Sequence, residues 1–399
     1  MQREHWHKKD IQLNWEGQRL PLGVAQELFS SHDVDVGSRL LLKSLAPNEW
    51  GEEGHIVDFG CGYGVLGLGW LAVKPGWTAT LIDRDALAVA FARDNADRNE
   101  LVRATCMTGL GPHGLPSPGT DLLLWNVPGK AGEGVLAALT SDCISTLSEG
   151  GLLALVVVNP LAEGLRSVLA SDPTITIEHD ETHADHTIIH ARTAGPAATA
   201  GDPFERGVFD REPAGFGVDD FDYDIVPVVG VPEYDTYSHA TEVTFDVLRT
   251  VVGSPHSIFV FRPGQGHVPL VVSSLFKPGH LVFGDRDWLA VRAAHRALAG
   301  SGLPVANVLA LPLVDLADAG LEGVDLAVLL LEDQVRNELH GARLADLATM
   351  LANGGQVIVS GGSSTVSRFL SFAAKRPGWK LRDRIKRSGA SAARLERVA

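Results

Sequence analysis

Hydrophobic and polar positions along the chain fall into a recurring order. Short apolar runs closed by a polar residue or glycine, such as HIVDFG at 55–60, TATLID at 78–83 and DLLLWN at 121–126, alternate with longer stretches where apolar residues return at helical spacing. Runs of this kind read as buried strands. Their alternation with helical patterns predicts an α/β fold in which helices cover a parallel sheet.

The order occurs twice. DRDALAV at 83–89 returns as DRDWLAV at 285–291. In the same phase, HIVDFGCGYGVLGL at 55–68 faces SIFVFRPGQGHVPL at 257–270, and DLLLWNVPG at 121–129 faces DLAVLLLED at 325–333. LSEGGLLALVV at 147–157 faces MLANGGQVIVS at 350–360, and the lead-in FSSHDVDVGSRLLLKSL at 29–45 faces TYSHATEVTFDVLRTVV at 236–252. Agreement over such a length predicts duplication of a whole domain. Between the copies, TAGPAATAGDPFERGVFDREPAGFGVDDFDYD at 193–224 shows neither period and reads as a linker. The expected organisation is a lead-in and lid over 1–45, a first domain over 46–195, an acidic Pro/Gly-rich linker over 196–224, and a second domain over 225–399 with a basic tail.

Composition adds three bounds. A chain of 399 residues, 45% of them hydrophobic, can bury two cores. Cys61, Cys106 and Cys143 have no paired spacing, which argues against a disulfide framework or a zinc knuckle and for a cytoplasmic setting. The amino terminus is polar, and LLALVVV at 152–158 is far shorter than a membrane span, so no membrane role is expected. The net charge of −15 means that an RNA partner needs a local basic surface. Residues 373–399 supply a candidate: Lys375, Arg376, Lys380, Arg382, Arg384, Lys386, Arg387, Arg394 and Arg397 stand against Asp383 and Glu396. They read equally as a solvated terminal strand and tail.

Candidate chemistry gathers at strand ends of the first half. IVDFGCGYG places Asp58, Gly60, Gly62 and Gly64 between a strand and a helix, where glycines let the backbone approach a ligand and the helix offers free amides. Gly62-x-Gly64-x-x-Gly67 also satisfies the dinucleotide fingerprint, so neighbouring residues must decide. Asp58 would repel an anionic pyrophosphate and attract a cationic amino group, which favours S-adenosylmethionine. Asp83 ends the next strand, 19 residues beyond Gly64, at the distance from which a carboxylate accepts from both ribose hydroxyls. Asn126 and Pro128, in WNVPG at the end of a further strand, should face the same crevice. The Asn126 amide oxygen and the Val127 carbonyl can accept hydrogen bonds from an amine and aim its lone pair at a methyl group. The same residues also suit a plain turn.

LFSSHDVDVGSRLLL, VDFGCGYG, LID and NVPG, in this order, resemble the small-domain class I methyltransferases, especially the tandem-domain bacterial enzymes that methylate a guanine amine of ribosomal RNA. The resemblance implies two tandem Rossmann-like methyltransferase domains, the second degenerate. It implies S-adenosylmethionine held by Asp58, Gly60, Gly62, Gly64 and Asp83, and transfer assisted by Asn126. The lead-in with Ser31, His32, Asp35 and Gly37 would close over the cofactor, with His32 and Asp35 among its contacts. Two features depart from the family. Val127 and Gly129 replace the first proline and the aromatic of its Asn-Pro-Pro-aromatic turn, and the intact motif lies in the first copy rather than the second.

The second half keeps Gly264 and Gly266 but has Val260, Arg262 and Pro263 where the chemistry stood. It is expected to be a structural or docking partner, with a weak cofactor contact through Asp285 left open. His179, His183, His186 and His190 could ligate zinc, but their β-branched flanks fit an antiparallel edge hairpin better, and no metal is expected. His5, Trp6 and His7 read as packing or capping residues. Hydrolase and kinase motifs do not stand out. The leading reading is an S-adenosylmethionine-dependent N-methyltransferase acting on RNA. Methylation of a small-molecule or protein amine, and a non-catalytic S-adenosylmethionine-binding scaffold, are the alternatives.

Overall fold

The apolar runs become strands because both faces of the sheet they enter are covered, which favours apolar side chains at nearly every position. Leu122, Leu123, Leu124, Leu153 and Leu155 are fully buried, each contributing about 2 kcal/mol of transfer free energy. The computed structural model describes residues 4–115, 119–195, 201–332 and 336–398. These residues divide into two units, 1–209 and 210–399.

The first unit begins with β1 (His7–Trp15), β2 (Gln18–Ala25) and α1 (Val36–Ser44). From β3 (Glu53–Phe59) the chain passes through α2 (Val65–Val73), β4 (Gly76–Asp83) and α3 (Ala86–Arg98) to β5 (Ala104–Thr108), filling one side of the sheet. It then returns to the other side of β3 with β6 (Thr120–Asn126), α4 (Glu133–Ser145), β7 (Leu147–Val158) and α5 (Asn159–Ser171). β8 (Ile175–Thr182) and β9 (His186–Thr193) finish the sheet. The strand order among the described residues is β5-β4-β3-β6-β7-β9-β8, with β9 antiparallel to both neighbours.

The second unit opens with a hairpin of β10 (Ala214–Val218) and β11 (Phe221–Ile225), then α6 (His239–Leu248). β12 (Ser257–Phe261), α7 (His267–Phe276), β13 (His280–Asp285), α8 (Trp288–Gly300) and β14 (Asn307–Pro312) follow. β15 (Val324–Leu330), α9 (Asn337–Met350), β16 (Leu351–Gly362), α10 (Ser363–Ala374), β17 (Trp379–Arg387) and β18 (Ala390–Arg397) complete it. Its order, β14-β13-β12-β15-β16-β18-β17, repeats that of the first sheet strand for strand. The architecture is two tandem Rossmann-like sheets.

Four features differ from or refine the sequence reading. The lead-in is part of the first unit. Buried Asn95 of α3 clamps it, accepting from the Gly23 amide and donating to the carbonyls of Gly23 and Tyr63. The span 196–224 is more than a featureless linker; residues 196–200 lie outside the described residues, but Phe204 and Phe209 are buried and Arg206 pairs with Asp142 in the first unit. Further along, β10 and β11 carry an alternating pattern that glycines and aspartates dilute, hence its invisibility to a period search.

The basic tail is likewise an integral part of the second sheet. β17 lies at its edge, and β18 is inserted between β16 and β17. Arg382 pairs with Glu396, Arg387 with Asp246 and Arg394 with Asp383, which spends much of the apparent charge locally. Finally, the heptad is a strand end joined to a helix cap. Asp85 and Asp287 N-cap α3 and α8, accepting from the amides of Leu87 and Leu289.

The histidine-rich segment forms the expected hairpin of β8 and β9. No cluster of potential metal ligands occurs among the described residues, and no described helix is long and apolar enough to cross a membrane.

Candidate functional site

β3 pairs with β4 on one side and β6 on the other, and the chain leaves β3 in opposite directions to reach them. In an open α/β sheet the crevice beyond the carboxyl ends of such strands is where a ligand fits, because the two crossovers part there. Register aligns Phe59 with Ile82 and Trp125, so the next residues, Gly60, Asp83 and Asn126, stand side by side at its mouth.

The glycine loop is tightly folded. Gly60, Gly62 and Gly64 all have positive φ, at 69°, 55° and 93°. The amides of Gly60 and Cys61 donate to the Ile82 carbonyl, and the Gly64 amide donates to the Cys61 carbonyl. A Cβ on Gly62 would enter open space, so here glycine answers the backbone conformation and leaves room above the loop. Gly64 is also constrained by packing, since its Cβ would lie 2.7 Å from the Leu68 side chain.

Asp83 braces this loop. Its Oδ2 accepts from the Gly62 amide at 2.9 Å and its Oδ1 from the Asp85 amide at 2.9 Å. Asp83 is half-buried at the mouth of the crevice.

Asp58 stands differently from its expected place. It is completely buried beneath the loop, and its Oδ2 accepts from the Gly67 amide of α2 at 2.8 Å. Burial pushes its carboxyl up to about 7, against the lowering effect of the Gly67 amide, and the neighbouring Asp83 raises it further. Its Oδ1 has no partner among the described residues. Asp58 therefore fastens the loop to the helix and presents no open oxygen to an ammonium group. A Cβ on Gly67 would come within 3.0 Å of Asp58, which is why that helical position is glycine.

Asn126 gathers the lead-in. Its Nδ2 donates to Asp35 Oδ2 at 2.9 Å and to Ser38 Oγ at 3.1 Å. The same Asp35 oxygen N-caps α1 by accepting from the Ser38 amide at 3.0 Å. Ser38 is a site residue that sequence reading missed; its position three residues after Asp35, as in a capping turn, was the available signal. Val127 donates its amide to the Val156 carbonyl, while Pro128 and Gly129 are exposed just beyond it. His32 is not brought to this group. Its exposed ring meets Lys8 Nζ at 3.0 Å, and Lys8 also reaches Ser31 Oγ at 3.1 Å. Tyr63, within the glycine loop, donates its hydroxyl to the Ser30 carbonyl at 3.4 Å and ties the lead-in down from below.

In the second unit the equivalent crevice is filled with charge. Arg262 occupies the place of Gly60, with φ at 64°, and its amide donates to the Gly284 carbonyl as Gly60 does to Ile82. Arg343 Nη2 meets Glu332 Oε2 at 2.8 Å, and Arg262 Nε lies 3.7 Å from Glu332. The two arginines hold the Glu332 carboxyl down, at about 2, against its burial. Asp285, the counterpart of Asp83, is buried and pushed up to about 7. A guanidinium at the loop opposes a sulfonium cation, whereas the first unit offers carboxylates and glycines.

Fold and site together define a class: duplicated Rossmann-like α/β units, with an intact glycine-loop crevice in the first. Residues 20–171 match the family model described as methyltransferase small domain. Ribosomal RNA large subunit methyltransferase G of Shewanella putrefaciens is 33% identical over 149 residues, covering 35% of this chain and 38% of that protein. The same-named protein of Shewanella loihica is 28% identical over 166 residues, covering 36% of this chain and 39% of its own length. The chain thus matches well under half the length of these relatives. A solved T. thermophilus 16S rRNA N2-guanine methyltransferase, in complex with AdoMet and guanosine, shares the fold over 98% of both chains, with a TM-score of 0.68 at 14% identity.

Proposed function

We propose that the first unit is an S-adenosylmethionine-dependent N-methyltransferase whose acceptor is a guanine amine of ribosomal RNA. The observation that carries the reading is the row of Gly60, Asp83 and Asn126 at adjacent strand ends of the switch point, above a loop of left-handed glycines. The residues present fit the cofactor. Asp83 would accept from its ribose hydroxyls, and the open space over Gly62 would admit its backbone-proximal part. When bound, it supplies an electrophilic methyl group on a sulfonium.

The chain's own contribution is orientation and exclusion of water. The Asn126 amide oxygen and the Val127 carbonyl accept from the two N–H groups of the acceptor amine and direct its lone pair toward the methyl carbon. Held by these two acceptors, the nitrogen would take the methyl group that the cofactor supplies, the bonding pair remaining with the cofactor, and would then release a proton. No general base is needed after transfer, because a protonated, alkylated aryl amine is acidic.

The choice of ribosomal RNA follows the names of the relatives and the exposed Lys375, Arg376, Lys380 and Lys386 of the second unit. A cytoplasmic setting belongs to the same reading. The chain's net charge of −15 and the glycine at 129 favour a second reading, a small-molecule or protein amine. Tritiated methyl transfer into fractionated lysate decides between them. Label in ribosomal RNA, lost in Asn126→Ala while calorimetry still shows one cofactor site per chain, is the expected result. Label confined to metabolites or protein would replace the RNA reading, and absence of cofactor binding would remove the methyltransferase reading altogether.

A further inference from the structure

We infer that Asp35 and Ser38 are positioning residues that fix which end of the Asn126 amide faces the acceptor. The inference rests on the proposed role of Asn126 as the group that orients the amine. A side-chain amide has a donating end and an accepting end of nearly equal shape, and a half-turn about its last bond exchanges them. Only one orientation is useful to an acceptor amine, whose N–H groups need an oxygen.

The geometry removes the ambiguity chemically. The Asp35 carboxylate has lone pairs and no proton to give, so the Asn126 end that lies 2.9 Å from it must be the NH2. Ser38 Oγ, 3.1 Å from the same nitrogen, takes the second proton. With both N–H bonds of Asn126 committed to the lead-in, its oxygen is the end available to the crevice. Asp35 is half-buried and Ser38 buried, so water competes weakly for these bonds.

The arrangement also joins the lead-in to the chemistry. Asp35 Oδ2 caps α1 through the Ser38 amide and holds Asn126 at once, so the amide is oriented only when α1 is seated. A Cβ at Gly37 would fall 2.9 Å from that oxygen and 3.2 Å from the His186 ring, which explains glycine between the two positioning residues. Asp35, expected from the sequence to touch the cofactor, is assigned to Asn126 instead.

The test separates capping from positioning. Asn caps a helix about as well as Asp, so Asp35→Asn keeps α1 while introducing a side chain that can itself donate to the Asn126 oxygen and turn the amide over. In a full-length chain labelled with 15N-asparagine, the Asn126 amide pair is assigned by its disappearance in Asn126→Ala. Its exchange with solvent should be slow in the wild type and about tenfold faster, with a shifted resonance, in Asp35→Asn.

In tritiated transfer to deproteinised ribosomal RNA, Asp35→Asn should lower kcat by on the order of a hundredfold, with the cofactor Kd within about threefold. Ser38→Ala, which removes one of the two bonds, should lose less. Because the three residues act as one unit, Asp35→Asn combined with Asn126→Ala should be no slower than Asn126→Ala alone. An unchanged Asn126 amide in Asp35→Asn overturns the inference. So does a loss that appears wholly as weaker cofactor binding, which would make Asp35 a cofactor ligand, or one that multiplies with that of Asn126→Ala. Full activity in Asn126→Ala would instead remove the proposed catalytic role of Asn126, and the amide exchange would still decide its orientation.

Discussion

At the scale of single residues, Asp58 shows how a motif position can be legible while its task is not. Its place two residues before the first glycine was plain in the sequence, and an open negative wall was the natural expectation. The fold buries it completely and gives it the Gly67 amide. That pairing joins a strand to the next helix, and no local pattern announces it. The raised carboxyl carries a stability consequence. Between its ordinary value of 3.8 and about 7, the folded chain retains a proton that the unfolded chain has released, so the contribution is present in full below the unfolded value and disappears as pH rises through about 7. Cofactor-free protein should therefore lose stability as pH rises from 3.8 to about 7. Asp58→Asn should flatten that loss, on the order of 1 kcal/mol for each pH unit separating the two values. Urea unfolding followed by tryptophan fluorescence suits the measurement, since six of the eight tryptophans, at 6, 15, 50, 70, 77 and 125, lie in the first unit. Asp285→Asn is the matching control for the second unit.

Gly62 makes a sharper residue-scale prediction. Gly62→Ala meets no atom but must hold a left-handed backbone, which costs about 1 kcal/mol, and its methyl group enters the space assigned to the cofactor. Calorimetry should show at least tenfold weaker cofactor binding with a melting temperature only a few degrees lower, roughly 2–4 °C. Gly266→Ala, in the second unit, would place its Cβ 3.0 Å from the Ala294 backbone. It should lower stability and leave the calorimetric binding curve unchanged.

At the scale of elements, strands β3, β4 and β6 were readable because uninterrupted apolar runs have few alternatives in a covered parallel sheet. β10 and β11 were not, because Gly215, Gly217, Asp222 and Asp224 occupy their outward positions and mask the alternation. The heptad was seen twice but understood in part. Its third residue is a helix cap in both copies, Asp85 for α3 and Asp287 for α8, and sequence reading credited only the first residue. Asp85→Ala and Asp287→Ala should each cost about 1 kcal/mol, read as a lower urea midpoint, and Asn at either position should restore most of it. Both copies of the chain keep this device although Gly60 of the first is Arg262 in the second, which separates what the fold requires from what the chemistry requires.

At the scale of the molecule, the repeated strand order made the duplication legible, and the divergence of the second copy was written in a few positions at strand ends. The basic carboxyl-terminal segment takes the terminal-strand form that was one of its two readings, and charge counting alone overstated its free charge because it ignores partners. Once Arg382, Arg387 and Arg394 are paired, the cations to test for RNA contact are Lys375, Arg376, Lys380 and Lys386. Deleting the segment would remove two sheet strands and unfold the second unit. The informative variant is Lys380→Ala with Lys386→Ala, which should weaken RNA binding and reduce its dependence on log salt by up to about 2, or roughly 0.9 for each phosphate left without its cation.

The inner position of β9 has a consequence for synthesis. A nascent chain emerges amino terminus first, and domains fold as they are completed. In each copy the last strand made is not the outermost one. It enters between two strands already present, β7 and β8 in the first unit and β16 and β17 in the second. Until Thr193 has left the ribosome, β7 has no partner on that side and β8 no sheet to join, so a shorter nascent chain should be open to protease and a slightly longer one closed to it. The first copy can then finish folding while its sibling is still being translated, which gives the order of the two copies a role in time as well as in sequence.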